Sequence, residues 1–270
     1  MPSRPTWLGA ACRRPSSTMA PALKRNLPFL GGVALLLLLW SGLTLLYPPI
    51  LAPSPQAVLS ALAQLAASGS LWRELSITLL RLAAAFSLGA LLGLSLGLIA
   101  GLRPALAALL RPGMAVAGGV PPISWLALAL IWFGTGSLAP ITVALLVATP
   151  VIFLATAEGV RALDADLLLM ARAYGLRGPD LLRQFYLPAL APHLITGLSA
   201  GAGLTVRVGV MGEFLASDSG VGSAMALARS RLDTAQVVAW VVVALALLLL
   251  SEALLLQPLA RRAQAWRGEG

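Results

Sequence analysis

This 270-residue sequence is poor in the side chains that perform chemistry, with one Cys (Cys12), one His (His193) and one Lys (Lys24). A single cysteine excludes an intrachain disulfide, and one histidine beside it excludes a Cys/His metal cluster. No nucleophile, base and orienting group can be drawn from so small a stock to make a catalytic triad. A phosphate-binding loop of the G-x-x-x-x-G-K-[ST] kind needs a lysine, and the only one sits in Pro21-Ala22-Leu23-Lys24-Arg25. The chain therefore has no ATP-hydrolysing site of that type. Charge is scarce as well: 11% of residues, where a soluble domain has about a quarter. With 59% hydrophobic residues and a mean hydropathy of +0.88, disorder and a nucleic-acid-binding domain are excluded. What remains is an integral membrane protein with several spans.

Long apolar runs are what the sequence does contain. Helical spans are predicted at about 28–47, 77–102, 106–133, 138–157, 189–211 and 237–256. A basic tail (1–27) precedes this transmembrane domain (28–257), and a short tail (258–270) follows it. The first tail reads as disordered and both read as cytoplasmic. Between the first two spans, Ser54 and Pro55 read as the N-cap and first residue of a short helix. Val58, Leu59, Leu62 and Leu65 would give it an apolar stripe lying on the membrane surface. Gly89, Gly93 and Gly97 stand four apart on the second span, a spacing that lets helices approach closely in lipid. They read as a packing face rather than a site. The third span is interrupted by Gly118, Gly119, Pro121 and Pro122. Tandem proline removes two donors and breaks a helix, either to line a pathway or as a packing kink.

The formal charge of +9 acquires an address from these spans. Fourteen of the 19 basic residues fall in the two tails, in the loops after spans two and four and, as Arg111, in the first turns of span three. The opposite face has five: Arg73, Arg81, Arg207, Arg229 and Arg231. Positively charged loops stay inside, so both termini are expected in the cytoplasm, and no nucleic acid is needed to explain the charge. Few ionisable residues lie near membrane depth. Glu158 is expected to pair with Arg161 one turn on, and Glu252 to reach Arg261 or Arg262. Arg207 and Glu213 lie near the outer end of span five, about 120° apart on the helix. Arg207 either attracts an anion moving along the pathway or anchors the helix at the interface. His193 reads as an interface residue.

The segment 158–188 differs from every other loop. Asp164 and Asp166 suit a helix N-terminus, Leu167, Ala171 and Tyr174 form a stripe, and Gly175 reads as the residue after the C-cap. Gly178-Pro179-Asp180 restarts a second helix with Leu181, Leu182, Phe185 and Tyr186 on one side. Leu187-Pro188 delivers the chain into span five. Two amphipathic helices in a cytoplasmic loop either cover the inner end of the bundle or dock a soluble partner.

The run Leu169-Met170-Ala171-Arg172-Ala173-Tyr174-Gly175, nine residues, then Phe185-Tyr186-Leu187-Pro188, resembles the EAA motif of ATP-binding-cassette importer permeases. Every spacing agrees. Leu169 stands where the motif has Glu, Met170 where it has the first Ala, and Phe185 where it has an aliphatic residue. Pro53-Ser54-Pro55, Pro121-Pro122-Ile123-Ser124-Trp125, Ile131-Trp132-Phe133-Gly134 and Ser219-Gly220-Val221-Gly222 are similar to the sulfonate/nitrate/taurine branch of that family. The resemblance implies an all-α integral membrane fold with six transmembrane helices and type I ABC importer permease (MetI-like) architecture in the bacterial inner membrane. It implies two ABC ATPase subunits carrying ATP and Mg, no cofactor on this chain, a periplasmic or lipid-anchored solute-binding protein, and a second permease copy, most simply a homodimer. It places Ala171, Arg172, Tyr174, Gly175, Phe185, Leu187 and Pro188 in the loop that couples to the ATPase. Pro121, Pro122, Arg207 and Glu213 are the candidates for the pathway. The expected solute is an organosulfonate, taurine, nitrate or a similar anion, the alternative a non-anionic solute such as a thiamine-precursor pyrimidine. A rival of another class is a secondary carrier or channel, for which internal repeats and paired acidic residues at mid-bilayer are missing.

Overall fold

A computed structural model describes residues 20–253, side chains from residue 31 onward with the exception of Ala165. The tail 258–270, Cys12, Arg261 and Arg262 lie outside the described residues, as does the tail 1–27 up to residue 19. Every regular element among the described residues is helical. In chain order these are α1 (Ala20–Leu46), α2 (Pro55–Ala67), α3 (Ser70–Leu102), α4 (Pro104–Gly119), α5 (Pro122–Phe133) and α6 (Leu138–Arg161). They continue with α7 (Ala165–Ala173), α8 (Gly178–Leu181), a π-helical turn (Leu182–Tyr186), α9 (Leu187–Ala216), α10 (Val221–Ser230) and α11 (Thr234–Ser251).

The chain divides into two units, one ending at Pro55 and the other beginning at Gln56. In the first, α1 starts at Ala20, eight residues ahead of the expected span, and the Trp40 indole donates to the Pro53 carbonyl at 3.0 Å. That bond closes the turn through Pro48 and Pro49. In the second unit, four helical segments are long and apolar enough to cross a membrane: Ser70–Leu102, Leu138–Arg161, Gly178–Ala216 and Thr234–Ser251. A fifth crossing exists if α4 and α5 count as one span, bent by 95° at their junction. The described apolar part of α1, Gly31–Leu46, is shorter than any of these.

The core of the second unit is the contact of α6 with α3 on one side and α9 on the other. Close approach is built from glycine. A Cβ placed on Gly93 would sit 2.7 Å from the Ile152 Cβ, and one on Gly97 would sit 2.7 Å from the Phe153 carbonyl oxygen. Gly101 continues the same row against Val160. The packing reading of the glycine stripe holds, one turn longer than expected. On α9, Gly197 and Gly201 meet Ala155 and Ile152 in the same way. Helices with so little side chain between them gain dense van der Waals contact, the main attraction available between helices in lipid. Ala148, Ile152 and Phe153 of α6 are accordingly buried. The surface-helix expectation for α2 needs one correction: Val58 and Leu65, expected against the membrane, are buried with Ala61 in an inward stripe at i, i+3, i+7, while Leu59 is 66% exposed.

Candidate functional site

The segment 162–187 has no buried residue among those described. Its first helix is capped at both ends by its own sequence. Asp164 is the N-cap, its side chain accepting from the Asp166 N–H at 2.8 Å. At the other end Tyr174 is the C-cap and Gly175 takes φ +85°. The Gly175 N–H donates to the Arg172 carbonyl at 3.0 Å, and the Leu176 N–H to the Ala171 carbonyl at 3.2 Å. This double bond pattern is a Schellman closure, and it needs a left-handed residue four positions after the small one. The Ala-x-x-x-Gly spacing therefore has a backbone reason. It folds α7 back while leaving Leu167, Leu169, Met170 and Tyr174 pointing away from their own chain, Tyr174 at 81% exposure. Arg172 is exposed too, and Ala171 half-buried.

The second half of the loop corrects an expectation. A separate second helix ending before Leu187-Pro188 is not formed. The chain is helical without interruption from Gly178 to Ala216. Proline normally breaks a helix, because it supplies no N–H and its ring strikes the preceding turn. Here the π-helical turn absorbs it. The Leu187 N–H bonds to the Leu182 carbonyl, five residues back, and the widened turn lets Pro188 enter the first turn of α9. Phe185 and Tyr186 are half-buried and meet edge to face with centroids 5.5 Å apart, Leu187 is exposed and Pro188 half-buried. Of the seven residues expected to couple, Phe185, Leu187 and Pro188 lie on this continuous helix, while Ala171, Arg172, Tyr174 and Gly175 lie on α7 and the turn that precedes it.

At the far end of α9 lies a buried polar network. Arg81 of α3 and Glu213 of α9 form an ion pair at 3.0 Å, their side chains 7% and 1% exposed. Arg81 also donates through Nε to Ser137 Oγ (3.0 Å), through Nη1 to the Ser219 carbonyl (2.7 Å) and through Nη2 to Ser219 Oγ (2.8 Å). Thr78 donates to the other Glu213 oxygen at 2.7 Å. The first N–H groups of α10 complete the arrangement. Gly220 N–H donates to Glu74, Val221 N–H to Thr78 Oγ1 and Gly222 N–H to Glu213, at 2.6, 2.8 and 3.2 Å. A helix start buried at membrane depth needs such partners, since water cannot supply them. Ser219-Gly220-Val221-Gly222 is the sequence that permits it. Gly220 has φ +96°, and a Cβ there would strike the Glu213 carboxylate. A Cβ on Gly222 would strike the α9 backbone at Val210 and Phe214.

The pathway candidates separate. Glu213 is enclosed and committed to Arg81, while Arg207 is exposed and shares no contact with it, as the helical rotation between them requires. Pro121 is exposed and Pro122 half-buried, both at the 95° break. The break is stabilised from within. Pro121 has no N–H for the Ala117 carbonyl, and the Trp125 indole donates to that oxygen instead, at 3.2 Å. Beside the break, a groove of about 510 Å³ opens between α4 and α6, with Arg111, Gly118, Gly119 and Pro150 among its walls.

Sequence reasoning missed Arg81 and Thr78 as partners of Glu213, and Glu74 as the acceptor for the Gly220 N–H. The available signal was their spacing of i, i+4, i+7 on an otherwise apolar span, together with the rule that an intramembrane charge has a partner. The expected Glu158–Arg161 pair is absent among the described residues, where both side chains are exposed. His193 is exposed, with its Cβ against Gly159 of α6.

Comparison with known proteins places this geometry. Residues 89–262 match the family described as "Binding-protein-dependent transport system inner membrane component". The putative aliphatic sulfonates transport permease protein SsuC of Escherichia coli K12 is 34% identical over 69% of this chain and 71% of its own length. The taurine transport system permease protein TauC of the same organism is 30% identical over 89% of this chain and 90% of its own. The riboflavin transport system permease protein RibX of Chloroflexus aurantiacus is 32% identical over 74% and 75%. Among solved structures, an inward-facing MetNI methionine ABC transporter chain superposes with a TM-score of 0.52 at 19% identity, covering 73% of this chain and 94% of that one. That likeness shows the fold alone. A match over most of the chain, on a multi-pass helical body with a self-capped, uncovered loop, means that the protein belongs to the binding-protein-dependent transport system inner membrane component family and is a membrane permease subunit, not a self-contained carrier or channel.

Proposed function

We propose that two copies of this permease form the path of an importer for a small organic anion, driven by two separate ATPase subunits that hold ATP and Mg. A periplasmic or lipid-anchored binding protein delivers the solute outside. In this reading both termini lie in the cytoplasm, α1 supplies a sixth crossing, and residues 158–188 form the coupling loop. The observation that carries it is the uncovered face of α7. Leu167, Leu169, Met170 and Tyr174 expose large apolar surface on a helix that the described residues leave uncovered. An apolar patch rimmed by Arg161, Arg172 and Asp166 suits a groove on a soluble subunit. A push on α7 would reach the helix Gly178–Ala216 through the short turn at 174–177, and the π-helical turn with Pro188 carries it on into α9 without a break. Anionic substrates follow from the relatives named for sulfonate and taurine transport. The relative named for riboflavin makes a neutral ring compound the second reading.

Ala171→Arg tests the coupling. Arginine suits a helix and leaves the Gly175 closure intact, so the permease should still insert and fold. Loss of ATPase co-purification, with at least about a tenfold fall in uptake, is the expected outcome. An intact complex with full uptake would remove the loop from the coupling role.

A further inference from the structure

The groove between α4 and α6 is a second place where chemistry has been assembled. Its walls are apolar along most of their length, including Met114, Phe153 and Leu154. Arg111 is its only charged lining residue, and among the described residues it has no carboxylate partner. At the other end stand Gly118, Gly119 and Pro150, where no long side chain intrudes. The space, about 510 Å³, lies within the range of small-molecule sites. Arg111 and Gly118 are seven residues apart on α4, which sets the ends of the groove about 10 Å apart. Gly118 also has a carbonyl with no helical donor, because Pro121 and Pro122 supply none at i+3 and i+4. Such backbone is tolerated at membrane depth where it faces a cavity.

We propose that this groove is a solute-binding station of the permease, and that it takes a short aliphatic sulfonate head-first against Arg111. The proposal rests on the anion-import reading and narrows it. A sulfonate offers three oxygens to the guanidinium fork, which binds planar pairs of acceptors in parallel. The carbon chain then lies along apolar wall and gains by leaving water. Nitrate has the charge but no apolar part, so most of the groove would contribute nothing to holding it. The station would make the permease itself selective, in addition to whatever its binding protein captures.

The test uses a permease with Cys12→Ser and Ala115→Cys, assembled with its ATPase and placed in nanodiscs so that both faces are open to reagent. Ala115 lines the groove one turn from Arg111. Labelling rates are compared for anionic sulfonatoethyl methanethiosulfonate and cationic trimethylammonioethyl methanethiosulfonate. Adding Arg111→Gln should lower the anionic-to-cationic rate ratio by about tenfold, the effect of one nearby charge in a partly wet cleft. Ethanesulfonate should slow labelling of the parent, and nitrate at equal concentration should not. No labelling by either reagent means that lipid or protein fills the groove, and overturns the proposal. A ratio unmoved by Arg111→Gln overturns it as well, as does equal protection by nitrate. Uptake of ethanesulfonate by the Cys12→Ser transporter is measured in parallel. Uptake with an indifferent groove refutes the station and leaves the import reading standing. An anion-selective, sulfonate-protected groove without uptake upholds the station and refutes sulfonate import.

Discussion

Replacing Arg81 by methionine is the sharpest test of how the start of α10 is held against α3 and α9. The substitution removes the 3.0 Å ion pair and three further hydrogen bonds, to Ser137, the Ser219 carbonyl and the Ser219 hydroxyl. It leaves Glu213 at 1% exposure with only Thr78 and the Gly222 N–H as partners. Removing one member of a buried pair costs about 3–5 kcal/mol, because the other charge stays buried without compensation. For a chain of this size that corresponds to a fall in Tm of roughly 10 °C. The double substitution Arg81→Met with Glu213→Met removes the stranded charge. Its remaining cost is the Gly222 N–H and the Thr78 hydroxyl left without an acceptor, about 1–3 kcal/mol each, plus the lost serine bonds. The double variant should therefore melt well above the sum of the two single effects, with a coupling energy of up to about 3 kcal/mol. Thermal unfolding of the purified permease in detergent, followed by circular dichroism, reads all four members of the cycle. A single variant within about 1 °C of the parent, or a strictly additive cycle, would refute the view that this pair seats α10.

Two further outcomes follow from backbone geometry. Gly97→Ala puts a methyl group 2.7 Å from the Phe153 carbonyl oxygen, and backbone cannot yield as a side-chain tip does. It should destabilise by about 1–3 kcal/mol, whereas Gly203→Ala on α9, with open space around its Cβ, should gain up to about 1 kcal/mol of helix propensity in the same melting assay. Leu232, just beyond α10, holds φ +57° at 70% exposure. Leu232→Gly should raise stability by about 1 kcal/mol, by relieving a left-handed conformation that a Cβ disfavours, and an unchanged Tm would argue against that strain.

The caps of the 158–188 loop were legible because their signals are local. Asp164, Gly175 and Pro179 act on backbone within a few residues, and the structure finds caps and a closure at those positions. The glycine stripe on α3 was legible as packing for the same reason. What the sequence did not show was what needed a partner from elsewhere. Pro188 looked like a helix end, since nothing local announces a π-helical turn. The ion pair of Glu213 with Arg81 was not legible, since nothing beside Glu213 in the sequence discharges it. The inward stripe of α2 was not legible, since Ala61 is too small to advertise that it faces in.

By itself the sequence determined the class, the main helices and the local caps of the 158–188 loop, because hydrophobic length and capping chemistry are properties of a short stretch of chain. Only the tertiary structure decided which charges are structural. Arg81 and Glu213 stand 132 residues apart, and their meeting depends on α3 and α9 both packing near α6 through glycine. Once met, the pair is desolvated together, and a charge that reads as functional at membrane depth becomes the fastening of a helix start. Arg111 is the converse case. The sequence counts it as one more cytoplasmic arginine, and only the bend at Pro121 and Pro122 sets an open groove beside it.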